Sequence, residues 1–354
     1  MSFKNGMNPE AKRFGNGVKF ISVMDILNNQ FIYYDNIRAS VEIADGDLDT
    51  YGVKYGDILF QRSSETLEDV GQANVYLDSK PAVFGGFVIR GKSKGNYNPL
   101  FFRYLLTSPT VRKRVIVKGA GAQHFNIGQD GLSKVCIDIP CIKEQEKIAR
   151  LLALLDERIA TQNKIIDKLQ SLIKGLRNKI FGKLRKNVGF NAMIGDVLGY
   201  EQPQSYIVED TEYVDEGTPV LTANKAFVLG YTSETEGIYD KGDCIIFDDF
   251  TLDCKYVDFP FKVKSSAIKI LTAENKELLR YTFEFLKYLD LSTDEHKRHY
   301  IAETQNQEFI LPTTQIVRTI SHTFSVLSLR METVIKQRLL FEKQKQYLLR
   351  QMFI

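Results

Sequence analysis

The chain has 354 residues, of which 44% are hydrophobic and 26% are charged, a composition typical of a folded globular protein. Lys and Arg outnumber Asp and Glu by only 47 to 44, so the net charge of +3 does not by itself indicate a nucleic-acid partner. The four cysteines form no Cys-x-x-Cys pair, which argues against structural zinc and a disulfide framework. The chain shows neither a signal-peptide core nor a long apolar window, so we expect a cytoplasmic protein without a membrane span.

Residues 1–139 predict a globular domain of mixed α and β structure. Runs rich in β-branched and aromatic residues predict strands at Val18–Val23, Asp57–Phe60, Val83–Arg90 and Val135–Ile139. Asn98-Pro99 combines an N-cap residue with proline at the first helical position, and it predicts the start of a helix.

The positive charge of this domain is concentrated in one interval. No acidic residue lies between Asp78 and Asp130, and this interval favours a surface that contacts phosphates. The alternative is a solvated basic face that is neutralised by acids from elsewhere in the fold. The candidate phosphate contacts are Arg112, Lys113, Arg114 and Lys118, and the candidate groove contacts are Lys92, Lys94, Gln123 and His124. In the second half of the chain the corresponding candidates are Lys297, Arg298 and His299.

Gly86–Ser93 matches the phosphate-loop pattern G-x-x-x-x-G-K-[ST] and predicts nucleotide binding if it is read alone. The four residues between the glycines are strand-like, however, and turn-forming residues follow where a helix would be required. A strand that ends in a turn fits this segment better. We find no catalytic or metal-binding constellation elsewhere in the sequence.

Two segments, 140–183 and 312–354, predict long helices with apolar residues at alternating steps of four and three, the a and d positions of a coiled coil. In the first helix the apolar a/d residues are Ile148, Leu152, Leu155, Ile159, Ile166, Leu169, Ile173, Leu176 and Ile180. In the second helix they are Ile320, Phe324, Leu327, Met331, Val334, Phe341, Leu348 and Met352, and Arg338 and Lys345 interrupt the pattern.

The two helices align without gaps at an offset of 172, and short matches upstream occur in the same order. The chain is therefore an internal duplication, with domains at 1–139 and 184–311, each followed by a helix, at 140–183 and 312–354. Because each helix has a long apolar stripe, we expect the two helices to pair with each other. Two unrelated helices, each packed on its own domain, are the alternative.

The run from Ile139 to Ala149, with Leu155-Asp156 and Lys174-Gly175-Leu176, resembles the central helical region of the specificity subunits of type I restriction-modification systems. The segments Thr107–Arg112 and Gly119–Ile127 are similar to the end of a target recognition domain in that family. The resemblance extends over nearly the whole chain, and it is most specific in residues 107–181.

The resemblance implies an α/β fold with two target recognition domains, a pseudo-twofold repeat and two antiparallel spacer helices. It implies a non-catalytic subunit that reads a bipartite site on double-stranded DNA. It further implies two methyltransferase subunits per chain, to which a restriction subunit can be added. S-adenosylmethionine and ATP with Mg²⁺ would be bound by these partners, and no cofactor by this chain. Two other functions stay open on the sequence: a coiled-coil scaffold that binds only proteins, and a nucleotide-binding enzyme using Gly86–Ser93.

Overall fold

The computed structural model describes residues 1–92, 95, 97–121, 123–223, 226–293 and 298–353. The chain folds as two compact units. The first unit consists of Met1–Gln162 and Gln337–Ile354, and the second consists of Asn163–Lys336. Each unit therefore contains one globular domain and one part of each long helix.

The first unit is built from short strands and helices. Its strands are β1 (Ser2–Asn5), β2 (Phe14–Ile21), β3 (Ala39–Val41), β4 (Gly52–Val53), β5 (Ile58–Gln61), β6 (Ser63–Ser64), β7 (Ala73–Val75), β8 (Ala82–Phe84), β9 (Val88–Lys92) and β10 (Phe125–Asn126). Its helices are α1 (Val23–Asn28), α2 (Asp47–Tyr51), α3 (Pro99–Thr107), α4 (Pro109–Ile116), α5 (Gln129–Ser133) and the first part of the long helix α6 (Ile142–Asn187).

The second unit repeats this pattern with fewer strands. It contains β11 (Ala192–Met193), β12 (Gly199–Glu201), β13 (Thr218–Leu221), β14 (Val228–Thr232), β15 (Cys244–Asp248), β16 (Cys254–Val257), β17 (Lys262–Val263), β18 (Ile268–Thr272) and β19 (Glu308–Phe309). Its helices are α7 (Ile194–Val197), α8 (Lys276–Leu289) and the first part of the long helix α9 (Thr314–Met352).

The sheets of the two units share their strand order and their pairing. The antiparallel sheet β1-β9-β5-β7 of the first unit corresponds to β12-β18-β15-β16 of the second. Each unit also has a parallel pair, β2 with β8 and β13 with β17, in which Ile21 lies opposite Phe84 and Leu221 opposite Val263. The duplication seen in the sequence is thus a duplication of the fold.

The long helices bury one stripe each. Every predicted a/d position of both helices is buried or half-buried, including the polar positions Gln162, Arg338 and Lys345. A helix with such a stripe needs a partner surface, because the stripe would otherwise stay in contact with water.

In the first unit, α6 and α9 run antiparallel to each other. Asp156 Oδ1 lies 2.5 Å from Lys345 Nζ, and further along α6 the guanidinium of Arg158 lies 5.7 Å from the ring centre of Phe341, earlier in α9. The Tyr104 hydroxyl of α3 donates to the other Asp156 carboxylate oxygen over 2.7 Å. Around this polar contact, α3 packs across both helices, with the rings of Phe101 and Phe353 5.4 Å apart.

The second unit has a comparable polar contact made from different residues. Glu284 of α8 accepts from Arg177 of α6 over 2.7 Å and from Arg280 over 2.8 Å. Arg280 also donates to the Ser328 hydroxyl of α9. Because the Glu284 carboxylate is fully buried and contacts two guanidinium groups, its charge is compensated.

Three local predictions were wrong. Helix α6 does not end at residue 183 but continues to Asn187, because Leu184 packs on the apolar core of the second unit, and Gly189 with φ of 75° then follows the helix. The predicted strand Val83–Arg90 is two strands in different sheets, since Gly85–Phe87 form a turn. The predicted strand Val135–Ile139 pairs with no strand of the described residues.

We expect the Asp156–Lys345 contact to contribute measurably to stability, because both side chains are largely buried. In a double-mutant cycle of Asp156→Ala and Lys345→Ala, urea unfolding should give a coupling free energy of about 2 kcal/mol. The matched control is the exposed pair Asp130 and Lys134, whose coupling should stay below about 0.5 kcal/mol. Equal coupling energies for the two pairs would contradict the prediction.

Candidate nucleic-acid interface

The predicted phosphate contacts lie on and just after helix α4. Ser108 caps this helix and Pro109 is its first residue, as is usual at a helix N-terminus. Val111 and Val115 are buried under the helix, so the intervening Lys113 and Arg114 face solvent. Lys118 follows the helix and is also exposed.

Arg112 differs from its neighbours, because its guanidinium is used inside the fold. Its Nη2 donates to the carbonyl oxygens of Glu68 and Val70, over 2.7 and 2.8 Å. Burial lowers the pKa of Arg112 from its usual value. These hydrogen bonds hold the segment 62–72 against α4, so Arg112 has a structural role.

The glycine-rich loop after α4 is closed by backbone pairing between Ala120 and Asn126, with N···O distances of 2.9 and 2.8 Å. Gly121 has φ of 146°, and a Cβ atom there would lie 2.0 Å from the His124 carbonyl oxygen. Glycine is therefore required at this position. The loop presents the exposed side chains of Gln123 and His124.

This loop lies against the segment after strand β5. Strand β10 pairs with β6, the Ser63 hydroxyl bonds the Asn126 side chain, and the Ile127 amide donates to the Arg62 carbonyl over 2.9 Å. The two segments border an open polar groove of about 580 Å³. We call it the polar groove; its lining residues are Leu27, Gln61, Ser63, Ser64, Glu65, Thr66, Asp69, Gln72 and His124.

The amide side chains of the polar groove are held in place. Gln61 Nε2 donates to the Ser63 carbonyl over 2.8 Å, and Gln72 Nε2 donates to Asp69 over 2.6 Å. Gln61 Oε1 is buried and has no hydrogen-bond partner among the residues described. Fixed amide, hydroxyl and carboxylate groups are among those that read base edges in a DNA groove.

Sequence reasoning missed most of this groove, since its residues precede the acid-free interval and include Glu65 and Asp69. Exposed Arg62 also lies in this segment. The available signal was the polar run Gln61–Ser64 directly after a buried strand. Conversely, Lys92 lies outside the polar groove; it borders another open groove with Lys54, Tyr55 and Asp57. Lys94 lies outside the described residues.

In the second unit, Arg298 is exposed and Lys297 lies outside the described residues. The prediction that His299 contacts DNA is wrong, because this residue is only 2% exposed. Its Nδ1 lies 2.9 Å from a Glu303 carboxylate oxygen, and its backbone amide donates to buried Asp249 over 3.0 Å. The basic run in the sequence did not reveal that the chain turns inward at this residue.

Gly86–Ser93 cannot form a phosphate loop, because Val88–Lys92 is a strand paired on both sides, with β1 and β5. The nucleotide-binding interpretation of this motif is therefore wrong.

Burial raises the pKa of the Cys244 thiol to about 12 and that of Cys254 to about 11, which makes both thiols unreactive.

Across the described residues, we find no group of three or more His, Cys, Asp and Glu side chains that could hold a metal ion. Nor is any helix in that part of the chain both long and apolar enough to cross a membrane.

Comparison with known proteins shows what parts of the chain resemble. The sequence profile of the family described as "Type I restriction modification DNA specificity domain" matches residues 3–171. The EcoR124I/EcoR124II specificity subunit of a type I restriction enzyme from Escherichia coli is 46% identical over 126 residues, which cover 34% of this chain and 31% of that protein. The putative type I restriction enzyme MjaX specificity subunit from Methanocaldococcus jannaschii is 30% identical over 152 residues, which cover 40% of this chain and 34% of that protein. The chain thus spans about a third of the length of these relatives.

Among solved structures, the S subunit of a type I restriction-modification system from M. genitalium aligns over 100% of this chain and 93% of its own, with a TM-score of 0.65. The sequence identity is 16%, so this likeness concerns the fold. Residues 3–171, just under half of the chain, thus resemble the type I restriction modification DNA specificity domain, and the fold of the whole chain resembles that of an S subunit.

Proposed function

We propose that this chain is the non-catalytic, DNA-recognising specificity subunit of a type I restriction-modification complex. The polar groove is the observation that carries this proposal. It lies within the segment that matches the specificity-domain family, and it combines amide, hydroxyl and carboxylate side chains within one open concavity. Base edges in double-stranded DNA present the donors and acceptors that such groups bind.

The exposed cations supply the sequence-independent part of binding. Lys113 and Arg114 lie on α4 and Lys118 follows it, just before the loop whose His124 lines the polar groove. Arg114 also donates to the Cys136 carbonyl over 3.0 Å, which leaves Lys113 and Lys118 as the principal candidates for phosphate contact. Phosphate contacts position a protein on the duplex, and base contacts select the sequence.

The second unit would read the other half of a bipartite site, since it repeats the sheet order and registers of the first. Partner subunits would supply the chemistry: two methyltransferase subunits with S-adenosylmethionine, and a restriction subunit that uses ATP and Mg²⁺. Under this proposal the chain itself would bind no cofactor, and the complex would act on DNA in the cytoplasm.

Mapping methylated adenines in host DNA, with and without this gene, tests the function directly. We expect a split motif, two specific parts separated by unread base pairs, that disappears when the gene is deleted. A chain that only scaffolds other proteins would leave the sequence pattern of methylation unchanged.

Replacing Lys113 and Lys118 by alanine should weaken DNA binding uniformly across sequences. The slope of log K against log salt concentration should fall by about 0.9 for each phosphate that the protein no longer neutralises. The matched control replaces Lys147 and Lys168, two exposed lysines of α6, and should leave the slope unchanged. Arg112 stays unaltered in both variants, because its removal would disturb the segment 62–72. An unchanged slope for the Lys113 and Lys118 variant would remove both residues from the interface.

Gln61→Leu should affect sequence selection without affecting the salt dependence. The substitution keeps most of the side-chain volume but removes the amide that lines the polar groove and donates to the Ser63 carbonyl, at a cost of about 1–3 kcal/mol for the preferred base. We expect relaxed preference at one position in one half of the methylated motif. Gln170→Leu, on the exposed side of α6, is the control. Unaltered preference in the Gln61 variant, with its melting temperature retained, would count against base reading by this groove.

A further inference from the structure

The turn between strands β8 and β9 carries an exposed aromatic side chain. Phe87, the last residue of the turn Gly85–Phe87, is 66% exposed. It borders an apolar cleft of about 420 Å³, which we call the Phe87 cleft and whose lining includes the partly exposed side chains of Phe14 and Met24. Single exposed apolar residues are common on proteins, but several of them around one concavity mark a binding surface.

The Phe87 cleft adjoins the polar groove. Ser63 lines both concavities, and the residue before it, Arg62, is exposed. Arg62 Nη1 donates to the Gly86 carbonyl over 3.4 Å, so the guanidinium lies beside the turn that carries Phe87. This single, long contact leaves the other donors of the guanidinium open to a ligand. An aromatic ring and a cationic group thus lie side by side where the two concavities meet.

Both side chains project from a backbone that is held in place by hydrogen bonds. The Arg62 amide donates to the Phe87 carbonyl over 2.9 Å, and the Arg62 carbonyl accepts from the Ile127 amide over 2.9 Å. The turn itself is held because the Gly85 amide donates to the Ile21 carbonyl over 3.0 Å. A site that is fixed in this way needs little reorganisation when a ligand binds.

The second unit repeats these three hydrogen bonds. The Asp249 amide donates to the Ala267 carbonyl over 2.9 Å, and the Asp249 carbonyl accepts from the His299 amide over 3.1 Å. The Lys264 amide donates to the Leu221 carbonyl over 3.1 Å. The three backbone contacts are therefore part of the framework that the two units share.

The side chains on this shared framework differ in size and charge. The register of β5 with β9, and of β15 with β18, makes Asp249 the equivalent of Arg62 and Ala267 the equivalent of Phe87. Asp249 is 1% exposed, whereas Arg62 is exposed. Since the same backbone contacts form with aspartate and alanine, the fold requires neither the arginine nor the phenylalanine. Exposed side chains that the fold does not need are suited to binding a ligand.

We propose that Arg62 and Phe87 select two neighbouring bases, a guanine and a thymine, in the half-site that the first unit reads. This inference rests on the proposed DNA recognition, and it adds the bases and the groove. In the major groove, guanine presents O6 and N7 to a guanidinium, and thymine presents its 5-methyl group to an apolar side chain. The Phe87 cleft would shield that methyl group from water. The minor groove displays neither feature.

Base analogues test the two contacts separately. The probe is a duplex with the split motif found by methylation mapping, and the protein is the complex isolated through a tag on the full chain. Uracil in place of the thymine removes only the methyl group and should weaken binding about fourfold. 7-Deazaguanine in place of the guanine removes one acceptor and should weaken binding about tenfold. Each thymine and each guanine of the motif is replaced in turn.

Variants of the chain assign each effect to a side chain. In Phe87→Ala the loss caused by uracil should fall below about twofold while the loss caused by 7-deazaguanine persists, and in Arg62→Ala the reverse should hold. Each comparison uses one protein with two duplexes, so a uniform loss of affinity cancels. Tyr55→Ala and Arg38→Ala are the controls and should keep both losses, because Tyr55 is 61% exposed and Arg38 is exposed, and neither lines the Phe87 cleft or the polar groove.

Three results would overturn the proposal. In the first, the complex prefers its motif but no single base responds to an analogue in the way described. In the second, Phe87→Ala leaves both analogue effects intact and instead releases a subunit from the isolated complex, so that the cleft is a protein contact. In the third, the unaltered complex binds the motif no better than an unrelated duplex, which refutes the proposed function and this inference with it.

Discussion

The fold depends on the burial of two long apolar stripes. Helices α6 and α9 each present a stripe that no single helix can remove from water, and each stripe is covered by the other helix and by one helix of a globular domain. Within the first unit, α3 packs on both long helices, and within the second, α8 does so. The globular domains are therefore parts of the same hydrophobic cores as the coiled coil, which explains why the compact units cut across both helices.

Polar groups inside these cores fix the register in which the long helices pack against each other and against α3 and α8. Asp156 and Ser328 are equivalent at the offset of 172, and each accepts a hydrogen bond from the neighbouring domain helix, from Tyr104 in one unit and Arg280 in the other. The remaining partners differ, since Lys345 completes the first contact and Glu284 with Arg177 completes the second. An apolar stripe alone would tolerate sliding by one heptad, whereas a buried charge needs its partner at one position. The two units thus solve the same problem of register with unrelated side chains.

The sequence predicted those features that are set by periodicity and repetition. The heptad pattern, the duplication and the capped start of α3 all follow from local spacing, and the structure contains each of them. Features set by tertiary contacts were not predictable. No local sequence signal distinguishes Arg112, which donates to two backbone carbonyls, from the exposed Lys113. Nor does a local signal show that His299 is buried, with its backbone amide donating to Asp249. The polar run at 61–64 carries little charge, and charge was the signal that pointed to the other candidate residues.

The comparison of the two units separates what maintains the fold from what can vary. Strand registers, the parallel pair and the coil contacts recur in both units, while the connections between strands do not. After β5 the first unit inserts the segment that forms the polar groove before β7 begins at Ala73, whereas after β15 the second unit makes a tight turn from Asp248 to Cys254. Both connections leave the sheet at equivalent strands, so the same framework accommodates a long loop in one unit and a tight turn in the other. A fold that tolerates such exchange can carry two different recognition surfaces, because the residues that bind a ligand are not the residues that hold the sheets and helices together.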